Sequence, residues 1–390
     1  MSSIVFALAV APIAIATYAY VVYPLVLWVI ASMRPIRVVA ETGLDWPSVT
    51  ITIPVYNAVA NIGETLERLL GIDYPKGVLQ LLVISDASTD GTDDVVRTFG
   101  GRGVELLRLP KRTGKTGAEN AAFGAARGEI LVNVDASIVV PAGSLKSLVR
   151  AFDDPTVGVA SGRDVSVGDA RHSGTSAEST YTGYEMWIRD LETRVGSIVG
   201  ASGCFYGIRR CIRADELPRE LSWDFASPLV ARKLGYRSVS VSTAPCIVPR
   251  TAEIRTEIRR KVRTMARGLS TLFYLRSLMN PFRFGGFALM LISHKLLRWL
   301  PYLLAPVSLV ALGVLSIGSV AARALLAVLF VGVIGGTISL RHRASTPSKP
   351  VALAGFFVAV VSAGLLAWWE AIRRTPMATW EPTPRGAAPA

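Results

Sequence analysis

One long uncharged stretch near the N-terminus constrains this chain more than any other feature. No charged residue occurs from Ile4 to Ala31, and a helix needs roughly 20 apolar residues to cross a bilayer core of ~30 Å. A cleaved signal peptide would have a charged start, a shorter apolar run and a small-residue cleavage site. This chain starts with the uncharged residues Met1–Ser3. We therefore predict an uncleaved transmembrane helix over residues 1–33.

The residues after this helix predict its orientation. Arg34 and Arg37 follow the apolar stretch directly, and Lys and Arg collect on the cytoplasmic side of membrane proteins. We therefore expect the part of the chain that follows to lie in the cytoplasm, with the N-terminus on the other side.

The C-terminal third of the chain is apolar again. It contains three uncharged stretches, Pro301–Val320, Ala324–Leu340 and Val351–Trp369. They predict transmembrane helices over residues 300–372 and hence a multi-pass protein. Arg341 and Arg343 would then lie in the cytoplasm, as the charge rule requires, whereas Arg373 and Arg374 would not. The side of the C-terminus therefore stays open.

Charge and composition exclude two classes of partner. The net charge is +13, and basic residues near membrane ends meet anionic lipid. They are not interleaved with aromatic residues in a nucleic-acid-binding module, so no nucleic acid is expected. The three cysteines and three histidines lack the spacing of a zinc site. The tail over residues 373–390 is rich in Pro and Ala and is predicted to be disordered.

Between these apolar ends, residues 45–250 alternate between strand and helix patterns. The predicted strands are the β-branched and apolar runs Val49–Ile53, Leu79–Ser85, Val104–Leu109 and Ile130–Val134. Ile62, Leu66 and Leu69 recur at helical spacing between the first two runs. This alternation predicts an α/β domain with a parallel sheet and right-handed crossovers.

Two acidic residues follow predicted strands. Asp86 closes the strand Leu79–Ser85, and Asp135 closes the strand Ile130–Val134. Ligands of open α/β sheets bind beyond the carboxyl ends of the strands, so the pair predicts a binding site there. For either acid taken alone, a turn or a helix cap is the alternative.

A series of motifs resembles the family 2 glycosyltransferases with the GT-A fold. The motifs are Pro54–Asn57, Leu81–Thr92, Gly114–Asn120, Asp135–Ser137, Gly200–Gly203, Tyr206–Arg210 and Ser222–Phe225. Two later segments, Arg260–Arg263 and Ser293–Trp299, resemble bacterial membrane-bound members that assemble polysaccharides. The resemblance implies a Rossmann-like GT-A catalytic domain with a mostly parallel sheet, between N-terminal and C-terminal transmembrane helices in the inner (cytoplasmic) membrane.

The resemblance also implies a donor site for a nucleotide sugar. Pro54, Tyr56 and Asn57 would line the nucleoside pocket, and Asp86 would accept a hydrogen bond from the base. Lys115 would offset the charge of the diphosphate, with a solvated loop cation as the alternative. The family favours a UDP-sugar, and GDP stays open.

A metal ion is implied at Asp135, which resembles the first acid of the family's Asp-x-Asp motif. Mg²⁺ or Mn²⁺ ligated by oxygen would stabilise the leaving diphosphate as a Lewis acid. Ser137 stands in place of the second acid, and a neutral hydroxyl is a weaker ligand. Metal dependence is expected, with Asp135 and Ser137 as the protein ligands.

Asp224 resembles the family's catalytic base, although Trp223 precedes it where many members carry an acid. A carboxylate there would take the proton of the acceptor hydroxyl as that hydroxyl attacks the anomeric carbon. One base and one direct displacement would invert the anomeric configuration. The alternative is a surface acid that caps a helix over Phe225–Leu234.

Residues 251–299 form a basic region that predicts an amphipathic helix in the membrane interface. Arg260, Arg263 and Arg267 recur at helical separations. They could contact phosphates of the donor or acceptor, or they could anchor the protein to lipid, and both interpretations stay open.

Together these features predict a membrane-bound, inverting hexosyltransferase of surface polysaccharide synthesis. Its acceptor would be a lipid-linked or polysaccharide glycan, and other polysaccharide-assembly proteins could be its partners. Processive synthases of the family carry Gln-x-x-Arg-Trp where this chain has Lys261–Met265, so addition of single sugars is favoured. A processive synthase and a catalytically weak scaffold of an export complex stay as alternatives.

Overall fold

A computed structural model describes residues 2–35, 45–167, 173–212, 216–249, 254–341 and 349–373. Arg37, Arg343, Arg374 and the rest of the predicted disordered tail lie outside these residues. The described chain divides into two compact units. One comprises the described residues of Met1–Val26, Ile254–Leu272 and Leu289–Thr375, and the other those of Leu27–Glu253 and Phe273–Ala288.

The strands and helices alternate in the middle of the chain and give way to helices at both ends. The strands are β1 Val49–Val55, β2 Leu79–Ser85, β3 Val104–Arg108, β4 Ile130–Val134, β5 Val157–Val167, β6 Phe205–Arg209 and β7 Arg237–Pro249. The helices are α1 Ser2–Thr17, α2 Tyr23–Ser32, α3 Val59–Leu70, α4 Thr92–Thr98, α5 Gly114–Ala125, α6 Ser144–Arg150, α7 Ser173–Val195, α8 Trp223–Lys233, α9 Ile254–Tyr274, α10 Pro281–Phe284, α11 Gly286–Leu291, α12 Leu297–Gly318, α13 Val320–Arg341 and α14 Lys349–Arg373.

A seven-stranded mixed sheet in the order β3-β2-β1-β4-β6-β5-β7 organises the middle of the chain. The first four strands of this order are parallel to one another. β6 is antiparallel to both of its neighbours, and β5 pairs in parallel with β7. The predicted mostly parallel α/β sheet is therefore confirmed.

Apolar residues fix the sheet between its helices. Ile51 and Ile53 of β1 are fully buried, as a central strand covered on both faces requires. Ile62 and Leu66 of α3 pack in the same core cluster, which confirms the helix predicted from their spacing. Burying one such side chain stabilises the fold by about 1.5–3 kcal/mol.

The four apolar stretches form helices that are long and apolar enough to cross a membrane. These segments are Ser3–Ser32, Gly286–Gly318, Val320–Ile338 and Leu353–Arg373. The second begins well before the uncharged stretch, so the boundary predicted at residue 300 falls inside a helix. His294 and Arg298 lie in this segment before the uncharged stretch. Both are buried, so neither polar side chain needs to face lipid. The other domain boundaries stay predictions.

Polar contacts and small residues join the helices of the unit that comprises the described residues of Met1–Val26, Ile254–Leu272 and Leu289–Thr375. The Tyr18 hydroxyl lies 3.1 Å from the Ser293 hydroxyl. Ser308 donates a 2.5 Å hydrogen bond to the Ala9 carbonyl oxygen. Gly336 lies so close to the backbone of Ala354 that a β-carbon at residue 336 would collide with it. Close backbone approach through small residues is typical of membrane helix pairs.

Candidate active site

The loops after β1 and β2 are tied to one another at the carboxyl edge of the sheet. Asn57 (φ 48°) and Ala87 (φ 58°) both adopt left-handed backbone conformations, which are uncommon for residues other than glycine. The Asn57 side-chain oxygen accepts a 2.9 Å hydrogen bond from the Thr89 amide, and the Asn57 amide donates to the Ser88 hydroxyl at 3.1 Å. Strained backbone held by such contacts is characteristic of ligand-binding loops.

Tyr56 faces a cation that the sequence did not single out. The guanidinium carbon of Arg112 lies 3.8 Å from the centre of the Tyr56 ring, within the range of a cation–π contact. Pro54, two residues before Tyr56, is buried in β1. The basic pair Lys111–Arg112 after β3 is the sequence feature that could have pointed to Arg112 as a site residue.

Asp86 is fully buried, and backbone donors occupy its carboxylate. One oxygen accepts from the Thr113 amide at 2.6 Å and from the Thr113 hydroxyl at 3.0 Å. The other accepts from the Gly114 amide at 2.8 Å. These contacts fix the start of α5, where the helix dipole favours a negative charge. A base contact by Asp86 stays a prediction, and the observed role is to hold this loop.

Lys115 occupies the centre of the site. Its ammonium donates to Asp135 Oδ1 at 2.5 Å and to the Gly203 carbonyl oxygen at 2.7 Å. Burial disfavours the charged form of Lys115, but the carboxylates of Asp135, Glu119 and Asp224 together raise its pKa above the ordinary value. The lysine is therefore cationic at neutral pH.

Glu119 is a buried carboxylate in this centre that the sequence did not reveal. It lies one turn after Lys115 on α5, a spacing at which two side chains meet. The Tyr206 hydroxyl lies 3.5 Å from Glu119 Oε1. Burial, followed by the charges of Glu119 and Asp224, raises the pKa of Tyr206 well above its ordinary value. Tyr206 is therefore a neutral hydrogen-bonding group.

Asp224 lies in the first turn of α8, where the helix dipole stabilises its negative charge. The Ser222 hydroxyl donates to Asp224 Oδ1 in a short hydrogen bond. The main-chain oxygen of Asp224 accepts from the Ala201 amide at 3.0 Å. A β-carbon at Gly203 would lie 2.8 Å from Asp224 Oδ2, so a glycine there lets the loop pass directly beside the carboxylate.

Trp223, the departure from the family pattern, anchors Asp224 to α5. Its indole N–H donates a 2.7 Å hydrogen bond to the Asn120 side-chain oxygen, and its ring lies 5.1 Å from that of Phe123. Thr116 donates to the Leu221 carbonyl oxygen at 2.7 Å. One face of α5 thus holds the segment that carries Asp224.

The donor set at Asp135 fits a metal ion only if other ligands contribute. Asp135 and Ser137 supply one carboxylate and one hydroxyl, and Lys115 already contacts that carboxylate. Among the described residues, no group of three or more His, Cys, Asp or Glu side chains could hold a metal. Mg²⁺ characteristically binds one or two carboxylates together with substrate phosphates and water. These residues fit an ion of that kind, shared with a diphosphate.

The three arginines predicted to contact phosphate or membrane lie on α9. Arg260 and Arg263 are half-buried, and Arg267 is buried. All three belong to the unit that contains most of the candidate membrane helices. Lys115, Asp135 and Asp224 belong to the other unit.

The mostly parallel sheet, with a Lys–Asp pair and a helix-borne carboxylate beyond its strands, has the GT-A fold. Comparison with known families agrees. The family model described as "Glycosyl transferase family 2" matches residues 50–213. This domain belongs to glycosyl transferase family 2.

Named relatives of the domain transfer sugars. A beta-monoglucosyldiacylglycerol synthase of Nostoc sp. (strain PCC 7120) is 25% identical over 182 residues, which are 45% of this chain and 39% of the relative. An N-acetylglucosaminyltransferase of Rhizobium meliloti is 27% identical over 237 residues, which are 55% of this chain and 54% of the relative. The chain thus spans about half or less of these relatives.

A solved structure is similar over almost the whole chain. It is a mannosyltransferase from Pyrobaculum calidifontis in complex with GDP-Man and Mn²⁺, with a TM-score of 0.73 and 23% sequence identity. The match covers 95% of this chain and 99% of that chain. At this identity the likeness establishes the fold.

Proposed function

We propose that this protein is a membrane-bound, inverting glycosyltransferase that takes its sugar from a nucleoside diphosphate donor. One observation carries the proposal. Lys115 bridges Asp135 and the Gly203 loop at 2.5 and 2.7 Å, and that loop abuts the carboxylate of Asp224. A cation for the diphosphate and a base for the acceptor therefore lie side by side.

The chemistry follows from these positions. The acceptor hydroxyl forms the new bond to the anomeric carbon as its proton passes to Asp224. The bond between the anomeric carbon and the donor phosphate breaks, and the nucleoside diphosphate leaves with both electrons. Lys115, cationic at neutral pH, offsets the charge that develops on the diphosphate. A single displacement from the face opposite the leaving group inverts the configuration.

Asp135 and Ser137 would hold a divalent cation together with diphosphate oxygens. When bound, Mg²⁺ or Mn²⁺ supplies Lewis-acid stabilisation of the leaving group. Donor binding would then require Lys115 to share or release Asp135, which it contacts at 2.5 Å. The mannosyltransferase with the same fold is in complex with Mn²⁺, which supports the proposal.

The donor base is proposed to lie against the tied loops of Tyr56 and Asn57. A UDP-sugar is the first choice, and GDP-Man in the mannosyltransferase of the same fold keeps a GDP-sugar in the test. The acceptor is proposed to be a lipid-linked or polysaccharide glycan of surface polysaccharide synthesis. The four candidate membrane helices support anchoring in the inner membrane, with the transferase domain on the cytoplasmic side.

The test is release of nucleoside diphosphate by the full chain purified in detergent. A panel of UDP- and GDP-sugars is supplied with membrane lipid extract as acceptor, with and without Mn²⁺. Wild type should release nucleotide from one donor class, and Asp224→Asn should lower that rate by at least about 100-fold, within the usual range for a general base. Asp94→Asn, an exposed acid on α4, is the matched control.

Unchanged release by Asp224→Asn would refute the role of that residue as the base. Nucleotide binding without release from any donor would refute catalysis by the chain alone and favour the scaffold alternative. A ladder of product lengths from a single acceptor would replace single addition by processive synthesis.

A further inference from the structure

The short turn before β6 contacts each of three charged residues in the candidate active site. The Gly203 carbonyl oxygen accepts the hydrogen bond from Lys115 at 2.7 Å. The Cys204 carbonyl oxygen accepts a 3.0 Å hydrogen bond from the Asp135 amide. Gly203 also lies beside the Asp224 carboxylate, because a β-carbon there would be 2.8 Å from Oδ2. The position of this turn therefore affects all three groups at once.

Ser202 holds this turn, which comprises residues 202–205 and which we call the β6 turn. The Ser202 side chain is fully buried. Its Oγ accepts hydrogen bonds from the Cys204 amide at 3.1 Å and from the Phe205 amide at 3.2 Å. These two bonds use both lone pairs of the hydroxyl oxygen. The hydroxyl proton is therefore left to donate to an acceptor outside the turn.

Asp164 of β5 is that acceptor. Ser202 Oγ lies 2.5 Å from Asp164 Oδ1, a distance typical of a hydroxyl that donates to a carboxylate. The Cys246 thiol donates to the same oxygen at 3.3 Å, and Cys246 of β7 is the sheet partner of Asp164. Burial, followed by the charge of Asp164, raises the pKa of Cys246, so the thiol keeps its proton. Asp164 thus ties the β6 turn to β7.

Strand β5 holds Asp164 close to the β6 turn. The Ser202 amide donates a 2.8 Å hydrogen bond to the Ser161 hydroxyl, three residues before Asp164 on the same strand. A β-carbon at Gly162 would collide with the Phe205 ring, so β5 runs directly against the start of β6. A buried polar network of this kind is sensitive to the loss of any member. Removal of the Asp164 carboxylate should therefore displace the turn.

We propose that Asp164 is a positioning residue of the transfer reaction, acting through Ser202 on the β6 turn. Resting on the proposed function, the inference gives Asp164 no contact with substrate and no part in proton transfer. Its carboxylate holds the Ser202 hydroxyl, and the turn then places Gly203 beside the base. Both observed hydrogen bonds go to Oδ1. Asp164→Asn can therefore keep the acceptor oxygen with its amide in place of Oδ2, whereas Asp164→Ala removes the acceptor.

The experiment measures nucleotide release and thermal unfolding for the full chain in detergent. Asp164→Ala should lower kcat about 10- to 100-fold, since a misplacement of about 1 Å in a site can cost about 100-fold. The donor KM should change less than about 3-fold, because Lys115 keeps its contact with Asp135. Asp164→Asn should restore kcat to within about 3-fold of wild type, since its oxygen still accepts from Ser202.

Two further variants test whether the effect passes through the β6 turn. Ser202→Ala should reproduce the loss of kcat, and its combination with Asp164→Ala should be no slower than Ser202→Ala alone, because residues of one hydrogen-bond network are not additive. Asp190→Ala is the matched control. Asp190 pairs at 3.2 Å with Arg163, the neighbour of Asp164 on β5, so the control weakens the same strand. Its kcat should equal that of wild type even if its Tm falls.

A wild-type kcat in Asp164→Ala would overturn the inference. So would a fully additive loss in the double variant, because the two residues would then act independently. An Asp164→Asn variant as slow as Asp164→Ala would exclude the hydrogen bond from Ser202 as the cause. A loss of kcat in Asp190→Ala as large as that in Asp164→Ala would assign the effect to the stability of β5 and remove the positioning role.

Amide hydrogen exchange of the β6 turn, measured without substrate, separates this inference from the proposed function. The amides of the turn that donate to Ser202 should exchange faster in Asp164→Ala and Ser202→Ala than in wild type or Asp190→Ala. Faster exchange without nucleotide release from any donor would leave the held turn standing and remove the transferase. Asp224-dependent release with unchanged exchange and unchanged kcat in Asp164→Ala would do the reverse.

Discussion

Replacing Asp86 by asparagine distinguishes a residue that reads the base from one that holds a loop. The substitution keeps the size of the side chain and exchanges one acceptor oxygen for an amide donor. In the structure both carboxylate oxygens accept hydrogen bonds, three in total, from Thr113 and Gly114. The side-chain oxygen of asparagine can still accept the hydrogen bonds made to one carboxylate oxygen. Its NH₂ group replaces the other oxygen and faces a backbone N–H, which cannot accept a hydrogen bond.

The expected loss of stability can be worked from these contacts. A hydrogen bond to a charged acceptor contributes about 1.5–3 kcal/mol, and a buried donor left without an acceptor costs about 1–3 kcal/mol. The loop can relax and recover part of both losses, so we expect the free energy of unfolding to fall by about 3 kcal/mol. For a domain of 150–250 residues this lowers Tm by roughly 6–12 °C.

Thermal unfolding of the nucleotide-free protein in detergent, followed by tryptophan fluorescence, measures this loss. Asp94→Asn is the control, since its side chain is 81% exposed and surface changes stay within about 0.5 kcal/mol. Binding of UDP and GDP should weaken to a similar extent, because the displaced loop carries Lys115. An unchanged Tm without nucleotide, together with an affinity loss confined to one base, would refute the loop role and support base recognition.

Three further predictions test the neighbours of Asp224 and Lys115. Gly203→Ala should lower kcat about 10-fold or more with little change in Tm, because the new β-carbon meets the end of the Asp224 side chain at 2.8 Å. The control is Gly124→Ala on α5, where a β-carbon enters open space and kcat should stay unchanged. Trp223→Phe should lower the free energy of unfolding by about 1–2 kcal/mol, because it loses the hydrogen bond to Asn120. It should also lower kcat. A normal kcat in a less stable variant would argue against a role of Trp223 in positioning Asp224. The neighbours of Lys115 raise its pKa, so Lys115 stays charged up to and beyond the ordinary lysine pKa of about 10.4. Donor Kd and Tm should therefore show no lysine titration between pH 7 and 9.5. Lys115→Gln should weaken donor binding at every pH in this range.

The first half of the sheet was predictable because its strands are continuous apolar runs. β1, β2 and β4 are covered on both faces, and their side chains leave little ambiguity about burial. The two acids after β2 and β4 follow from the same pattern, since parallel strands end at one edge.

The second half of the domain was not predictable in the same way. β7 contains several serine and threonine residues and its burial follows no regular alternation, so it lacks the continuous apolar run that marks β1, β2 and β4. β6 reverses the direction of the sheet, which a local pattern does not encode. Glu119 reads as an ordinary polar residue of a helix, and its position beside Lys115 and Tyr206 emerges only from the packing of α5 against β6.

The contacts of α5 on both sides have a consequence for exchanging parts between related enzymes. Its first turn is fixed by Asp86 below the donor loops, and its next two turns hold the segment of Leu221 and Trp223. A chimaera that imports a foreign segment before α8 should therefore fold productively only when the residues at Thr116 and Asn120 come from the same parent. Over evolutionary time these positions and the Leu221–Trp223 segment should vary together, and Asp86 couples the start of α5 to the loop after β2 as well.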